Sequence, residues 1–583
     1  MQQALSSISS RNLFIIILFI ATLSTLPWIG LGEYYTKGEP REASVAISML
    51  DGKNWILPYV YADEIAYKPP FTHWMMAICS IPGGEVTPFT SRLPSTIAFI
   101  VMVCCCCGLF RRFMGKGESL TAILIFISCF EIHRSSMTSR VDMVLTAFMV
   151  CGMISLFYWV EYKQLKGLPW HIPLLLGGAA LTKGPVGVIL PLLVFGVYLL
   201  LIRQKFITIV WKCLLVGVLS LIPLLIWYYA AYLQEGSAFI DLVWGENFGR
   251  FLGSDNANLH YDLGHEHPFW YNFILLILGF IPWALFFFFS VFGIKFAFKR
   301  PRNLWNKIHH MNRGKLFSLV SLCLIILFYC IPMSKRGTYL MPAYPFIAVF
   351  LGQYMYSFVT KHTKVNYVFG IFMGVITGIV AVLSLSSLFG LVDLQAIVAI
   401  FSHKEKTLYH VSLISEALSS FTVLYTIVLL ILLAAIGVLI VQFRMKYQTG
   451  ILFAVFGVWI MCNVLLDAVA LPAFKNGTSI KPFITKIKDK YPLKKGNMYV
   501  VNDLRQYSNL YGVNFYLNNG FMRFEKVKPE VGYFFTTDKD IEKVKGIYKD
   551  YWFELLDESP NRFNDTKAIV QLYRFGKVGQ KQT

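Results

Sequence analysis

Long apolar runs separated by short polar connections fill residues 1–474 of the chain. A membrane-spanning helix needs about 20 mostly apolar residues, and on that measure the pattern predicts about thirteen spans. Residues 71–84 are apolar but short, so we expect an interfacial helix there. The predicted spans cover residues 12–30, 91–110, 118–134, 141–160, 170–183, 186–202, 207–233, 269–293, 316–333, 339–359, 366–386, 419–443 and 450–474.

Residues 475–583 differ from the rest because they contain no long apolar run. The pattern predicts an amphipathic helix from Ser479 to Tyr491, a helix from Asp538 to Val544, and strands at 498–502, 531–537 and 568–575. We therefore predict a polytopic α-helical membrane domain, residues 1–474, followed by a small α/β domain, residues 475–583. The second domain has no glycine-rich phosphate loop and no histidine, which favours a covering or docking role over a catalytic one.

The composition supports a membrane protein. Of the 583 residues, 56% are hydrophobic and only 15% are charged, whereas soluble chains are about 25% charged. The net charge of +20 comes largely from short connections, which we interpret as topology signals rather than nucleic-acid contacts. The apolar run after Arg11 is longer than that of a signal peptide and no small-residue cleavage site follows, so we expect an uncleaved first span.

The basic residues also predict the orientation of the chain. Cytoplasmic connections are enriched in lysine and arginine, and here the enriched connections follow the even-numbered spans. The N-terminus is therefore expected in the cytoplasm, and the first loop (residues 31–90) and residues 475–583 on the extracytoplasmic side. The basic connections contain Arg111, Arg112, Lys116, Lys163, Lys166, Arg203, Lys205, Lys361, Lys364, Arg444 and Lys446, and the stretch 295–315.

The first loop is the longest polar interruption in the N-terminal third, and it is rich in charge. Charged side chains beside a membrane cost free energy unless they are solvated or paired, so a dense set indicates a functional site. Pro40 after Glu39 favours a fixed turn and a helix start, and the prolines after Lys68 favour a stiff extended segment. The charged residues are Glu33, Glu39, Arg41, Glu42, Asp51, Asp63, Glu64 and Lys68.

Other outward positions add one acid and several cations. Asp142 begins a span, where it either stabilises the helix dipole or serves as a catalytic or positioning acid. Lys183 either snorkels to the interface or, with Gly184 and Pro185 after it, lies in a loop bent into the protein. Outward cations run against the positive-inside bias, and binding an anion is the best reason for them. These cations are Arg250, Lys335 and Arg336, with Tyr339 close by.

Acids and cations on one face suit transfer of a sugar from a phosphate-linked lipid. The acids can accept a proton from an acceptor hydroxyl, and the cations can stabilise a departing phosphate. A flippase for lipid-linked sugars and a non-catalytic lipid-binding scaffold are the alternatives. The motif His265-Glu266-His267 lacks a third ligand, so a solvated loop is favoured over a metal site.

The motifs in this order resemble the GT-C membrane glycosyltransferases, specifically the protein-mannosyltransferase and aminoarabinose-transferase superfamily. The segment GEPREASVAISMLDGKNWILPYV and the later YKPPFTHW are similar to the family's first outer loop, where an Asp-Glu-x-Arg-Tyr-Ala motif precedes Gly-Asp-Trp and Lys-Pro. The motifs RLPS, LTKGPVG, ENFGRF, HPFWY and KRGTYLMPAYP match further family signatures.

The resemblance implies a multi-span core, an active site at the outer face of a bacterial inner membrane, and inverting transfer from a polyprenyl-phosphate sugar without a nucleotide. Glu39 and Asp142 correspond to the acidic catalytic positions. Lys68 and Arg250 correspond to ligands of the lipid phosphate. The remaining cavity positions, to which we assign substrate binding, are Arg41, Lys183, Lys335, Arg336 and Tyr339.

The chain departs from the family pattern at two places. Gly38 stands where the leading acid of the Asp-Glu pair is found, so the base role falls on Glu39 or on a neighbour such as Glu33. Tyr67 and Gly245 stand where the aminoarabinose-transferase branch has metal ligands. We therefore expect no metal or other cofactor, and no assignment of aminoarabinose as the sugar. The acceptor remains open among lipid A, a polysaccharide and a protein.

Overall fold

A computed structural model of the chain describes residues 9–245, 266–291, 310–502, 507–564 and 566–579. The chain is mostly helical, and helix covers each of the thirteen predicted spans in its described part. Among the described residues, eight helices are long and apolar enough to cross a membrane, or up to nine if a bent pair counts as one span. The polytopic α-helical membrane class is therefore confirmed, while the count of thirteen stays a prediction.

The first half of the chain is built from helices and short turns. In chain order, the helices are α1 Ser10–Leu23, α2 Gly38–Gly52, α3 Phe71–Ser80, α4 Pro88–Phe113, α5 Lys116–Ser128, α6 Phe130–Ser136, α7 Val141–Lys163, α8 His171–Lys183, α9 Val186–Leu201, α10 Phe206–Glu235, α11 Ser237–Trp244, α12 Tyr271–Gly279 and α13 Trp283–Val291, with 3₁₀ turns Leu26–Trp28 and Ile81–Gly83.

The second half continues with spans and then with shorter elements. It contains α14 Arg313–Cys330, α15 Tyr344–Lys361, α16 Thr363–Leu388, α17 Leu394–Phe401, α18 Glu405–Ser419, α19 Val423–Arg444, α20 Gln448–Leu465, α21 Leu471–Thr478, α22 Lys481–Lys490, α23 Tyr511–Tyr516, α24 Phe524–Val527 and α25 Ile541–Ile547, with a 3₁₀ turn Gly337–Ala343 and a π turn Leu466–Ala470.

Burial separates central spans from peripheral ones. In the most apolar window of α7, 83% of the residues are buried inside the protein, against 22% in α10. A helix that is apolar on every side and buried lies at the centre of a bundle, so α7 is a central span and α10 faces outward along most of its length. The predicted span 269–293 is instead bent by 104° between α12 and α13. Pro282 lies at this break, and proline cannot donate the backbone hydrogen bond that would continue a helix.

The first loop folds into α2, α3 and a small two-stranded antiparallel sheet, β1 Tyr59–Tyr61 and β2 Glu64–Ile65. Helix α2 begins at Gly38 and has Pro40 in its first turn, as the sequence predicts, because proline has a backbone angle that suits the start of a helix. Most residues in the first turns of α2 are buried, and Glu39 and Glu42 are among them. These carboxylates therefore need partners inside the protein.

The C-terminal part is built on a five-stranded sheet. Its strands are β3 Met498–Val500, β4 Met522–Arg523, β5 Val531–Thr537, β6 Tyr551–Glu558 and β7 Val570–Lys577, in the order β4-β3-β5-β7-β6. Strand β3 pairs with β4 and β5 in parallel, and β7 pairs with β5 and β6 antiparallel. The predicted strand 531–537 matches β5, and β6 is a strand that the pattern did not predict.

The C-terminal sheet and the first loop share one hydrophobic core. Val45 and Met49 of α2 pack in the same buried cluster as Ile484 and Val513 from the C-terminal part. Polar contacts join the same surfaces, since Arg523 Nε donates to the carbonyl of Ala62 over 2.8 Å. The C-terminal part thus holds the first loop in place.

A second tie involves Glu33, which precedes α2. Its carboxylate accepts a hydrogen bond of 2.6 Å from Lys481 Nζ and one of 2.7 Å from the Tyr516 hydroxyl. Both partners lie in the C-terminal part. Glu33 therefore ties the segment before α2 to the C-terminal part.

Candidate active site

Glu39 forms a buried ion pair with Arg92 of α4. Arg92 Nε lies 2.8 Å from one Glu39 oxygen, and its Nη2 lies 3.3 Å from the other. The Ser139 backbone N–H donates to Glu39 over 3.1 Å. Burial raises the pKa of Glu39, but the positive charges of Arg92 and Lys475 and these hydrogen bonds outweigh it, so its pKa is lowered. Glu39 is therefore the counter-ion of a buried guanidinium, and both of its oxygens accept hydrogen bonds.

Arg92 connects Glu39 to the segment that precedes α2. Its Nη1 donates to the carbonyls of Ile29 and Gly32 over 2.7 and 2.6 Å, and its Nη2 donates to the carbonyl of Glu33 over 3.3 Å. A guanidinium has five N–H donors, and each one is used here. Only 1% of Arg92 is exposed. The pair Glu39–Arg92 therefore fixes the first loop to the N-terminal end of α4.

Glu42, one helical turn after Glu39, is the carboxylate that contacts the predicted phosphate ligand Lys68. Its Oε1 accepts hydrogen bonds from Lys68 Nζ and, over 3.0 Å, from Arg41. Its Oε2 lies 2.8 Å from His73 Nε2. The cavity at this cluster has a volume of about 30 Å³ and is lined by Arg41, Glu42, Lys68 and His73. One molecule occupies about the same volume in liquid water.

The charges around Glu42 shift the pKa values of its neighbours. Burial raises the pKa of Glu42, but Lys68, His73 and Arg41 together hold it well below its usual range. Burial and the positive charge of Arg41 lower the pKa of Lys68 to about 8, against the attraction of Glu42. Lys68 therefore carries its charge at neutral pH and loses it in mildly alkaline solution.

A second carboxylate, Asp142, lies in the first turn of α7 and is 6% exposed. Its Oδ1 accepts a hydrogen bond of 2.6 Å from Lys183 at the end of α8. Its Oδ2 lies 3.8 Å from Arg140 Nε, beyond hydrogen-bond distance. Lys183 Nζ also lies 4.3 Å from the centre of the Tyr339 ring. The structure thus brings together Asp142, Lys183 and Tyr339, three of the predicted site residues.

Arg140 connects the two carboxylate clusters. Its positive charge contributes to the lowered pKa of Lys68, and its guanidinium pairs with Asp142. A side chain at Gly38 would place its Cβ 3.1 Å from Arg140 Nη1. The guanidinium of Arg140 therefore lies against Gly38, the position at which the family has its leading acid.

The remaining predicted cations are placed differently. Lys335 is buried, and its ammonium donates to the carbonyls of Cys330, over 3.2 Å, and of Pro332. It therefore closes the C-terminal end of α14 rather than facing Glu42 or Asp142. Arg336 Nε is buried and has no hydrogen-bond partner among the described residues. Arg250 lies outside the described residues.

Sequence reasoning assigned no role to four residues of these clusters: Glu42, His73, Arg92 and Arg140. The spacing of Glu42 from Glu39 puts both on neighbouring turns of one helix, which is a signal that the sequence contains. His73 and Arg92 contact acids 31 and 53 residues away, and no local pattern reports such pairs. The metal positions of the aminoarabinose-transferase branch are Tyr67 and Gly245 here, and the described residues contain no group of three metal-ligating side chains.

Comparisons with known proteins identify similar sequences. Residues 67–227 match the family model described as dolichyl-phosphate-mannose-protein mannosyltransferase. An undecaprenyl phosphate-alpha-4-amino-4-deoxy-L-arabinose arabinosyl transferase of Shewanella sediminis (strain HAW-EB3) is 26% identical over 61% of this chain and 62% of its own length. A second enzyme of that description, from Proteus mirabilis (strain HI4320), is 26% identical over 59% of this chain and 60% of its own length. The match thus covers less than two thirds of the length of each of these relatives.

Solved structures extend the comparison to nearly the whole chain. ArnT from Cupriavidus metallidurans bound to undecaprenyl phosphate matches with a TM-score of 0.64 and 16% identity, over 96% of this chain and 97% of that one. The same protein in the apo state gives a TM-score of 0.65. The structural likeness shows the fold, and together the comparisons confirm the resemblance on which the sequence analysis rests.

Proposed function

We propose that this chain, an ArnT-like protein with the GT-C fold, is an inverting glycosyltransferase. It transfers a sugar from a polyprenyl-phosphate carrier to an acceptor at the extracytoplasmic face of a bacterial inner membrane. The observation that carries the proposal is the pairing of two buried carboxylates, Glu42 and Asp142, with several cations in one region. The names of the relatives support the reaction class and the carrier.

The cations around Glu42 would bind the phosphate of the donor. Lys68 and Arg41 already hold a carboxylate, and a phosphate oxygen offers them the same kind of acceptor with more charge. In the proposed complex, the phosphate takes over these contacts from Glu42. Glu42 then keeps its contact with His73 and holds the cations in position between turnovers. Arg336 and Arg250 are proposed as further ligands of the same anion.

Asp142 is the base in this proposal. Its Oδ1 is held by Lys183, whereas its Oδ2 accepts no hydrogen bond from Arg140 at 3.8 Å. The acceptor hydroxyl gives its proton to Asp142 while its oxygen forms the bond to the anomeric carbon. The bond from that carbon to the phosphate oxygen breaks, and the electron pair leaves with the polyprenyl phosphate. Lys68, Arg41 and Lys183 stabilise the charge that develops on the phosphate.

The proposed orientation rests on the position of both clusters at the same end of the spans. Asp142 lies at the start of α7 and Lys183 at the end of α8, and the first loop packs above them. The connections enriched in lysine and arginine lie at the opposite ends of these spans and are cytoplasmic by the positive-inside bias. The site and the C-terminal sheet would therefore face the periplasm.

A turnover assay on the purified protein tests this proposal. The wild-type protein in lipid nanodiscs is incubated with a labelled polyprenyl-phosphate sugar and acceptor lipids, and release of polyprenyl phosphate is followed together with transfer of the sugar. We expect both, with Lys68→Ala reducing the rate at low donor concentration and exposed Lys37→Ala leaving it unchanged. Binding without turnover would instead support a scaffold, and movement of intact donor across a vesicle would support a flippase.

A further inference from the structure

A cavity of about 360 Å³ lies at the end of the spans opposite Asp142 and Lys183. Helix α9 begins three residues after Lys183 and has 16 residues, which extend over about 24 Å at about 1.5 Å per residue. The cavity is at the far end of α9, where the residues after Tyr198 meet the start of α14. The two helices pack together there, since the rings of Tyr198 and Phe317 lie 5.2 Å apart. Pockets that bind small molecules have volumes of about 300–1,000 Å³, so the cavity can hold a ligand headgroup.

The cavity carries a net positive charge. Arg203 and Arg313 line it, and its described lining residues include no acid. The acid connected to its wall is Glu161, which accepts a hydrogen bond of 2.7 Å from the Tyr198 hydroxyl, and that hydroxyl also contacts Arg313. Even if the charge of Glu161 is counted in full, two guanidiniums exceed one carboxylate. Guanidinium groups match the geometry of phosphate oxygens, so a phosphate-bearing ligand is favoured over a neutral one.

The two stretches of chain that contain these arginines add further cations. Residues 201–212 and 295–315 contain no aspartate or glutamate. Their basic residues are Arg203, Lys205 and Lys212 in the first stretch, and Lys295, Lys299, Arg300, Arg302, Lys307, Arg313 and Lys315 in the second. Basic pockets between spanning helices, and clusters of about 4–8 basic residues beside such a helix, attract anionic phospholipids. The sequence around the cavity therefore favours the same kind of ligand as its walls.

Exposed apolar side chains close to Arg203 in the chain indicate that the ligand is a lipid. Phe206 and Ile207, in the first turn of α10, are 70% and 73% exposed, and Trp211 is 60% exposed. Because α10 is a spanning helix that faces outward along most of its length, these side chains contact the acyl chains of the bilayer. Tryptophan is enriched at the boundary between membrane and water, so Trp211 places this end of α10 at the depth of the lipid headgroups.

We propose that this cavity binds the headgroup phosphate of an anionic phospholipid, in the leaflet opposite the candidate active site. The phosphate oxygens contact Arg203 and Arg313, and the acyl chains lie along Phe206, Ile207 and Trp211. One lipid then joins the ends of α9, α10 and α14. A soluble phosphate compound would satisfy the arginines but would leave the apolar side chains of α10 unused. The site takes no part in sugar transfer, so its test is independent of the proposed function.

The first test measures which lipids stay on the purified protein. The full chain in detergent is exchanged into an equimolar mixture of phosphatidylglycerol and phosphatidylethanolamine, and the bound lipids are counted by native mass spectrometry. We expect wild type to retain phosphatidylglycerol in preference, and Arg203→Glu/Arg313→Glu to retain about tenfold less of it. The control Lys361→Glu/Arg444→Glu reverses two exposed charges outside the cavity and should retain as much as wild type.

The second test measures stabilisation by the same lipid. Phosphatidylglycerol added to delipidated wild type should raise the midpoint of thermal unfolding, because a ligand that binds only the folded state stabilises it. The milder variant Arg203→Gln/Arg313→Gln should show no such rise, while its helix content, measured by circular dichroism, matches wild type. Soluble glycerol 1-phosphate should not stabilise wild type. If the charge-reversal variant does not fold, the glutamine variant takes its place in the lipid measurement.

Each part of the assignment can be overturned by a separate result. Equal retention of both lipids by wild type would refute the preference for an anionic headgroup. Undiminished retention of phosphatidylglycerol by the cavity variants would refute the role of Arg203 and Arg313. An equal loss in the control Lys361→Glu/Arg444→Glu would attribute binding to surface charge in general. Stabilisation by glycerol 1-phosphate as large as that by phosphatidylglycerol would assign the cavity to a soluble phosphate instead of a lipid.

Discussion

Replacing Glu39 by glutamine distinguishes a structural acid from a catalytic one. Glu39 and Arg92 are 4% and 1% exposed, and removing one partner of a buried ion pair costs about 3–5 kcal/mol because the other charge is left uncompensated. Glutamine keeps a hydrogen-bond acceptor, so we expect a loss near the lower end, about 3 kcal/mol. The free energy of unfolding is measured by equilibrium titration with SDS in mixed micelles. Exposed Glu85→Gln is the control and should change it by less than about 0.5 kcal/mol.

The double variant Glu39→Gln/Arg92→Gln checks the cause of that loss. Because it removes both buried charges, its loss should be smaller than the sum of the single losses by about 1 kcal/mol or more. Since the pKa of Glu39 is lowered from 4.5, its stabilising contribution is fully present above that pH and is lost as the pH falls through the lowered pKa. The kcat of folded Glu39→Gln should stay within about tenfold of wild type, because a lost base costs about 10²–10⁴-fold. A stable protein with a kcat reduced about a thousandfold would refute the structural assignment.

Two further predictions concern the donor site and the C-terminal part. Because the pKa of Lys68 is lowered to about 8, the donor KM should rise as the pH increases above about 8, and Lys68→Arg should remove that rise; a flat wild-type profile from pH 7 to 10 would contradict it. Glu33→Ala removes the partner of Lys481 and Tyr516, so limited proteolysis should cut the C-terminal part faster than in wild type. The exposed change Lys545→Ala should leave the cleavage rate unchanged, and equal rates in all three proteins would refute the tie.

The sequence predicted the helical membrane class because apolar runs of spanning length are typical of membrane helices and rare elsewhere. It also predicted the start of α2 from Pro40, and strand β5 from its apolar and aromatic residues. Strand β6 was not predicted from the sequence. It is an edge strand of the sheet, and charged residues such as Glu554 and Asp557 interrupt its alternating pattern. Local patterns report the type of an element better than its position in a sheet.

The contacts within the candidate site could be predicted only in part, for a related reason. The pairing of Asp142 with Lys183 joins residues that both flank predicted spans on one side, and the family motifs mark both. The partner of Glu39 could not be deduced, because Arg92 approaches it from another helix, 53 residues away. A motif locates an acid in the sequence but does not say whether its carboxylate faces a substrate or a buried guanidinium. We therefore propose Asp142 and Glu42, rather than Glu39, as the acids of the site.

The most direct test of the account is the transfer rate of Asp142→Asn at saturating donor and acceptor. The substitution preserves shape but removes the proton acceptor, so we expect kcat to fall about 10²–10⁴-fold while polyprenyl phosphate binds within about threefold of wild type. Exposed Asp51→Asn is the matched control and should transfer at the wild-type rate. Wild-type turnover by a correctly folded Asp142→Asn protein would contradict the central claim that this carboxylate is the base.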